Sequence, residues 1–198
     1  MRSDAAFARA AVPAPTKVLN LPLRPYAVGH ALWLEALGNP LAGECEGATA
    51  AQIVEAVWIC AHGWRELAEQ HRRWLTLVKV WVWRRRCRGA RLARALGEFQ
   101  AYRRAGSSVP AVEGMGSGGR AAGAPLLARV VQFLVGRLGR TEEEALDYPL
   151  GLAYWHFAAY QEAQGNLKIL NADEVEFLEW CEAQDRAAAG KKEVARDA

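Results

Sequence analysis

The stretch Thr141–Gly165, TEEEALDYPLGLAYWHFAAYQEAQG, decides the fold class. Thr141 followed by Glu142, Glu143 and Glu144 has the spacing of a capping box. The hydroxyl accepts from the amide three residues on, while the third carboxylate reaches back to the amide of Thr141. Asp147–Tyr148–Pro149 opens a second helix, and Gly165 is placed to stop it. Leu150, Tyr154, Phe157, Ala158 and Gln161 share one face of that helix, with Trp155 and Ala159 on another. Apolar character therefore covers more than one stripe, which predicts a helix central to the core or shared with a partner.

The same punctuation recurs in both directions. Asn171 with Glu174 repeats the cap before VEFLEWCEAQDRA, where Val175, Leu178 and Cys181 fall on one side and Phe177, Trp180 and Gln184 on its neighbour. Burial is the expectation for these rings. Upstream, Pro125 sits where a helix to Leu138 begins, with Leu127, Val130, Val131 and Leu134 as its stripe. Between Gly106 and Gly123, the run GSSVPAVEGMGSGGRAAG carries six glycines and a proline and reads as a flexible linker.

Ahead of the linker, Tyr26 opens a helix with Val28, Leu32, Trp33 and Leu37 on one side, ended by Gly38–Asn39–Pro40. Thr49 is a candidate N-cap for a helix with the stripe Ile53, Val54, Val57, Trp58 and Cys60. Helical character resumes at Arg65 and runs to about Ala105, although residues 76–83, TLVKVWVW, alternate as a strand would. Leu19–Pro25 holds two prolines and predicts an extended lead-in.

The organisation read from this pattern is all-α, with about six helices in two segments. Residues 1–18 form a disordered arm, 19–105 and 124–187 the helical segments, 106–123 the linker and 188–198 a charged tail.

Of the 198 residues 52% are hydrophobic, enough to bury a core, and eight are Trp. The net charge of +3 argues for no partner, but its distribution is uneven. Between His71 and Arg104, Lys and Arg meet the single acid Glu98, whereas between Thr141 and Asp185 Lys168 is the single base. A basic middle and an acidic end can neutralise each other within the fold or across a homo-oligomer.

Four spread cysteines without a CxxC, and a start without an apolar signal region, predict reduced thiols in a cytoplasmic protein. The most apolar run, Trp74–Trp83, is too short and too basic to span a bilayer, so no transmembrane segment is expected.

The sequence shows no GxSxG, no HExxH and no phosphate loop opening a helix. The glycines at 114–119 lack the Lys-Ser/Thr that a nucleotide loop needs. Cys60 and His62 point in different directions on a helix, and neither His30 nor His71 forms a second close pair with another ligand, so no metal and no cofactor is expected. His156, inside an aromatic helix, reads as a hydrogen-bonded packing residue or one facing solvent beside the stripe, ahead of a perturbed, functional imidazole. The protein is accordingly expected not to be an enzyme.

The basic run Trp81–Arg94 has three functional readings beside that of a solvated face, one of them a helix laid on an anionic membrane surface with Trp down and Arg up. Trp81 and Trp83 with Arg84, Arg85, Arg86 and Arg88 can anchor a protein partner. The stretch 72–104 can instead form a nucleic-acid-binding module, with Arg on phosphates and Trp on bases. Tyr154, Trp155, Phe157 and Trp180 are the further candidates for partner contact.

Two segments, LRPYAVGHALWLEALGNPL (Leu23–Leu41) and PLGLAYWHFAAYQEAQGNLKI (Pro149–Ile169), resemble small morphogenesis proteins of tailed phages and prophages, tail assembly chaperones in particular. The resemblance implies a helical, non-enzymatic, cytoplasmic assembly factor. Its partner would be a helical client, such as the tape-measure protein around which the tail tube forms.

Overall fold

The computed structural model describes residues 2–43, 45, 47–70, 88–114, 124–171, 173–181, 183 and 186. The fold is mostly helical, with two small antiparallel sheets. Helix α1 (Arg2–Ala11) leads into the hairpin β1 (Thr16–Val18) and β2 (Leu21–Leu23). Then come α2 (Val28–Ala36), a 3-10 turn (Pro40–Ala42), α3 (Ala50–Ala61), α4 (Trp64–Gln70) and α5 (Ala90–Gly106). After β3 (Val112–Gly114) follow α6 (Leu126–Gly136), α7 (Glu142–Leu146), α8 (Leu150–Ala163) and β4 (Leu167–Ile169). A last helix, α9, covers 173–181.

The capping signals form as their spacing requires. The Thr141 hydroxyl accepts from the Glu144 amide at 3.2 Å, and Glu144 accepts from the Thr141 amide at 3.0 Å. Thr49 makes the same reciprocal pair with Gln52, and Asn171 with Glu174. The Gly38–Asn39–Pro40 stop is more than a terminator. Gly38 takes the left-handed conformation (φ 62°) that ends α2. The buried Asn39 side chain then accepts from the Leu41 amide at 3.0 Å and donates to the Gln52 carbonyl and to Glu55 Oε2. It thereby locks the 3-10 turn onto α3.

Strands enter where extended chain or a linker was expected. Leu19 (φ 52°) and Asn20 (φ 64°) both occupy the left-handed region, which turns the lead-in back on itself as a two-residue hairpin. Its register pairs Thr16 with Leu23 and Val18 with Leu21, and buries Val18 completely. The fold is thus not purely helical. In the Gly-rich run, residues 106–114 are ordered against the body. Gly106 ends α5 against the Tyr26 side chain, and Val112–Gly114 pairs with Leu167–Ile169. Residues 115–123 and the tail 188–198 lie outside the described residues.

The first residues also depart from the expectation of a disordered arm. The Ala-rich run 2–11 is helical, as Ala propensity favours, and it finds a surface to pack on. Phe7 meets Trp155 edge-on at 5.8 Å, and Ala10 is buried beside Gly151 of α8.

One apolar core draws on both sides of the Gly-rich run. Helix α3 supplies Ile53, Val54, Val57 and Cys60. Around it gather Leu34 and Leu41, Phe99 and Tyr102 of α5, Val130 and Leu134 of α6, and Leu150 and Ala153 of α8. The buried side of α2 is Val28, Ala31 and Leu34, not the Val28–Leu32–Trp33–Leu37 stripe. Leu37 is exposed, and Trp33 packs half-buried on Trp64 of α4 at 5.7 Å.

Candidate functional site

The histidines reveal first what the interior does with polar groups. His30 is 2% exposed, and its Nδ1 accepts the Ala27 amide at 3.1 Å, closing the N-terminus of α2. Its Nε2–H donates to the His62 carbonyl at 2.8 Å. Both nitrogens are therefore spent on backbone, which fixes the neutral tautomer with its proton on Nε2. Burial holds this imidazole below its usual range. His62 turns its Nδ1–H onto the Trp58 carbonyl at 2.8 Å and lies over the Trp58 ring at 4.3 Å. His156 is half-buried between Phe7 and Tyr148. His71 lies outside the described residues.

Beside His30 the two halves of the sequence are stitched. The Val28 amide donates to the Tyr148 carbonyl at 3.0 Å, and the Leu150 amide to the Tyr26 carbonyl at 2.8 Å. This Ala27–Pro149 bridge joins the two segments that carry the phage-protein resemblance. Cys60 and Tyr102 lie under the seam, where burial pushes both thiol and phenol well above their usual ranges. The Tyr102 hydroxyl donates to the Arg24 carbonyl at 2.7 Å.

An open cleft of about 640 Å³ lies where α4, α7 and the start of α8 meet, lined by Arg65, Arg140, Glu143, Glu144, Asp147 and Tyr148. Its carboxylates already serve the fold. Glu143 pairs with Arg65, Glu144 closes the Thr141 capping box, and Asp147 Oδ1 accepts the Trp64 amide at 2.8 Å. The arrangement closes helix ends and spans elements, and it offers no nucleophile–base pair. Among the described residues no cluster of His, Cys, Asp or Glu could hold a metal ion.

The feature that points outward is α9. A second cleft, of about 410 Å³, runs between this helix and the β3–β4 sheet and includes Leu170, Phe177 and Leu178. Val175 and Cys181 are half-buried toward the body. Phe177 and Trp180 stand 61% and 59% exposed, stacked on each other at 6.2 Å with 25° between their planes. Their expected burial is therefore not observed. Lys168 pairs with Glu174, which lines the same cleft as Phe177. Asp173 and Glu179 are exposed on the same helix.

The other sequence candidates are placed differently. Tyr154, Trp155 and Phe157 are half-buried on α8, with Trp155 under Phe7 and Phe157 edge-on to Phe133 at 5.6 Å. They support the core and do not join the Phe177–Trp180 patch. Arg88 is exposed at the start of α5. Trp81, Trp83, Arg84, Arg85 and Arg86, with the helix-or-strand question over 76–83, lie outside the described residues. Phe177 is the member of the patch that the sequence candidates for partner contact left out. The signal that could have found it is Asp173, four residues earlier on the same side of the helix.

No described helix is long and apolar enough to cross a membrane. No family model, no curated protein and no solved structure matches the chain.

Proposed function

We propose that the protein is a non-enzymatic assembly factor of the tailed-phage type, working in the cytoplasm and holding a helical client on α9. The single observation that carries this reading is the stacked Phe177–Trp180 pair, exposed on an acid-bearing helix. A rigid aromatic anchor within a polar rim is the composition of an interaction hot spot. The acids beside it keep the apolar rings in solution until a partner covers them. The interior supports the reading from the other side, because the buried polar groups His30 and Asn39 are consumed by helix closure. The resemblance to tail assembly chaperones suggests the client, a tape-measure-like coiled coil.

The test is co-purification with the long coiled-coil protein encoded beside its gene. The Phe177→Ala, Trp180→Ala double variant is expected to lose affinity by roughly a hundredfold, two hot-spot residues at about 1–2 kcal/mol each. Capture by wild type with no loss in the variant removes α9 from the reading; no capture by wild type removes the client.

A second reading rests on Arg88, Arg91 and Arg94, exposed in a row at the start of α5 beside the basic stretch. A nucleic-acid-binding surface there predicts salt-dependent binding of single-stranded DNA, lost when Arg84, Arg85, Arg86 and Arg88 are neutralised. Absence of binding at low salt refutes it.

A further inference from the structure

Register decides which side chains of the β3–β4 sheet face α9. Glu113 stands opposite Lys168, and the Leu170 amide continues the ladder onto the Ala111 carbonyl at 2.9 Å. Positions two apart on a strand share a face, so Glu113, Lys168 and Leu170 lie on one side of the sheet. All three line the cleft of about 410 Å³, whose other wall is Asp173, Glu174, Phe177 and Leu178. Leu170 is buried there, while Phe177 and Leu178 are exposed. Charge in this corner does not balance. Lys168 is the single base among the lining residues, and it pairs with Glu174. Glu174, with Glu113 and Glu162 further off, holds that ammonium above its ordinary pKa range. Glu162 also accepts the Ile169 amide at 2.8 Å. Glu113 and Asp173 are exposed and enter no salt bridge among the described residues. Two carboxylates are thus left over beside apolar side chains, and Asp173 lies four residues before Phe177 on the same side of α9.

We propose that this cleft takes a Lys or Arg side chain from a basic, amphipathic helix of the client; the assignment rests on the α9 reading and names the chemistry of its partner. The aliphatic stem of such a side chain lies against Leu170, Phe177 and Leu178, and its charged head reaches Glu113 and Asp173. The Phe177 ring adds its own attraction for a cation over its face. Apolar residues three or four positions along the same client helix then cover Trp180. Charge selects this occupant over the others. An acidic rim repels phosphate, which disfavours nucleic acid and an anionic membrane surface, and it repels an acidic helix as well. A purely apolar helix would cover Glu113 and Asp173 without supplying a counter-charge, which is costly. A basic helix covers the rings and neutralises the acids in one contact.

The experiment is fluorescence anisotropy on the full chain with two labelled synthetic peptides of about 20 residues, long enough to form a helix. Both carry Leu at i, i+3 and i+4 spacing; one has Lys at the flanking positions and the other has Glu in place of every Lys. Wild type is expected to bind the Lys peptide roughly tenfold or more tightly than the Glu peptide, with the difference shrinking at high salt. Glu113→Gln with Asp173→Asn keeps the shape of the cleft and removes its charge. That chain is expected to lose roughly tenfold in affinity for the Lys peptide and none for the Glu peptide. Glu113→Lys with Asp173→Lys is expected to reverse the preference. Circular dichroism identical to wild type qualifies each chain, and where the reversed chain does not fold, the neutralised one decides. A wild type that binds neither peptide, or both alike, overturns the proposal, as does a neutralised chain that keeps the wild-type preference. The Phe177→Ala, Trp180→Ala chain tells the two readings apart. If it binds the Lys peptide as wild type does, the α9 reading falls and this proposal with it. If it loses the peptide while the neutralised chain keeps it, the proposal alone is overturned.

Discussion

Replacing Asn39 by Ala tests whether the Gly38–Asn39–Pro40 stop is held by its side chain or by its backbone alone. Asn39 is 4% exposed and makes three bonds: acceptance from the fully buried Leu41, and donation to the Gln52 carbonyl and to Glu55. Truncation leaves the Leu41 amide without its acceptor, a cost of about 1–3 kcal/mol for a buried donor. The donation to a carboxylate adds about 1.5–3 kcal/mol and the donation to a carbonyl about 1 kcal/mol. Such terms overlap, and water reaches the half-buried Glu55, so the expected loss is about 3 kcal/mol. In urea unfolding followed by tryptophan fluorescence, that lowers the midpoint by roughly 1.5 M at a slope near 2 kcal/mol/M. Asn39→Asp separates the bonds. It keeps the acceptor for Leu41 but abolishes both donations and sets a carboxylate against Glu55, so at neutral pH it is expected to be at least as destabilising as Ala. An Asn39→Ala loss no larger than that of Thr141→Ala, an exposed cap worth about 1 kcal/mol, refutes the reasoning. So does an Asn39→Asp variant as stable as wild type.

His30 predicts acid sensitivity. Its folded pKa is lowered, so the unfolded chain binds the extra proton; stability is intact above about pH 6.5 and falls on acidification until the folded pKa is reached, by at most about 1.4 kcal/mol per pH unit. Unfolding free energies at descending pH should show that slope, and His30→Gln should lose it. Two glycines should respond with opposite signs in thermal unfolding. Gly29→Ala drives a Cβ to 2.7 Å from the Trp64 ring and 2.9 Å from the Leu146 carbonyl, a destabilisation of about 1–3 kcal/mol. Gly97→Ala, in open space on a helix, should stabilise by about 0.5–1 kcal/mol. In mass-mapped thiol labelling of the native protein, the fully buried Cys60 should remain unmodified, while the half-buried Cys45 and Cys181 react.

Local rules made much of the helix grammar legible. Thr49, Thr141 and Asn171 cap because a hydroxyl or amide three residues ahead of a Gln or Glu has its partners within the same turn. Nothing distant is needed to satisfy it. What stayed hidden depends on partners far along the chain. Val112–Gly114 is three residues of glycine-rich composition and becomes a strand because Leu167–Ile169 presents an edge to it. The hairpin needed Leu19 in a conformation its branched side chain disfavours, a choice no propensity scale would make. The 2–11 helix needed Trp155 of α8 for Phe7 to pack on. Phe177 and Trp180 show the remaining limit. Periodicity names the apolar sides of a helix but not which side faces the core.

The separation of chemistry from surface bears on function more than any single contact does. A catalytic site needs polar groups that are enclosed yet uncommitted, so that a substrate can become their partner. In this fold several enclosed groups are committed to backbone, while the Tyr26 and Ser108 hydroxyls are enclosed without a hydrogen-bond partner among the described residues. The two ring nitrogens of His30 close a helix and clasp the turn after α3, Asn39 spends its whole amide on two elements, and the Tyr102 hydroxyl holds the strand exit at Arg24. Each joins elements distant in sequence, as a chain with short helices and three-residue strands requires. Two features lie outside, the stacked Phe177 and Trp180 rings and the acids exposed on the same helix. Solvent screens isolated charges there, and burial by a partner is what gives both features their worth.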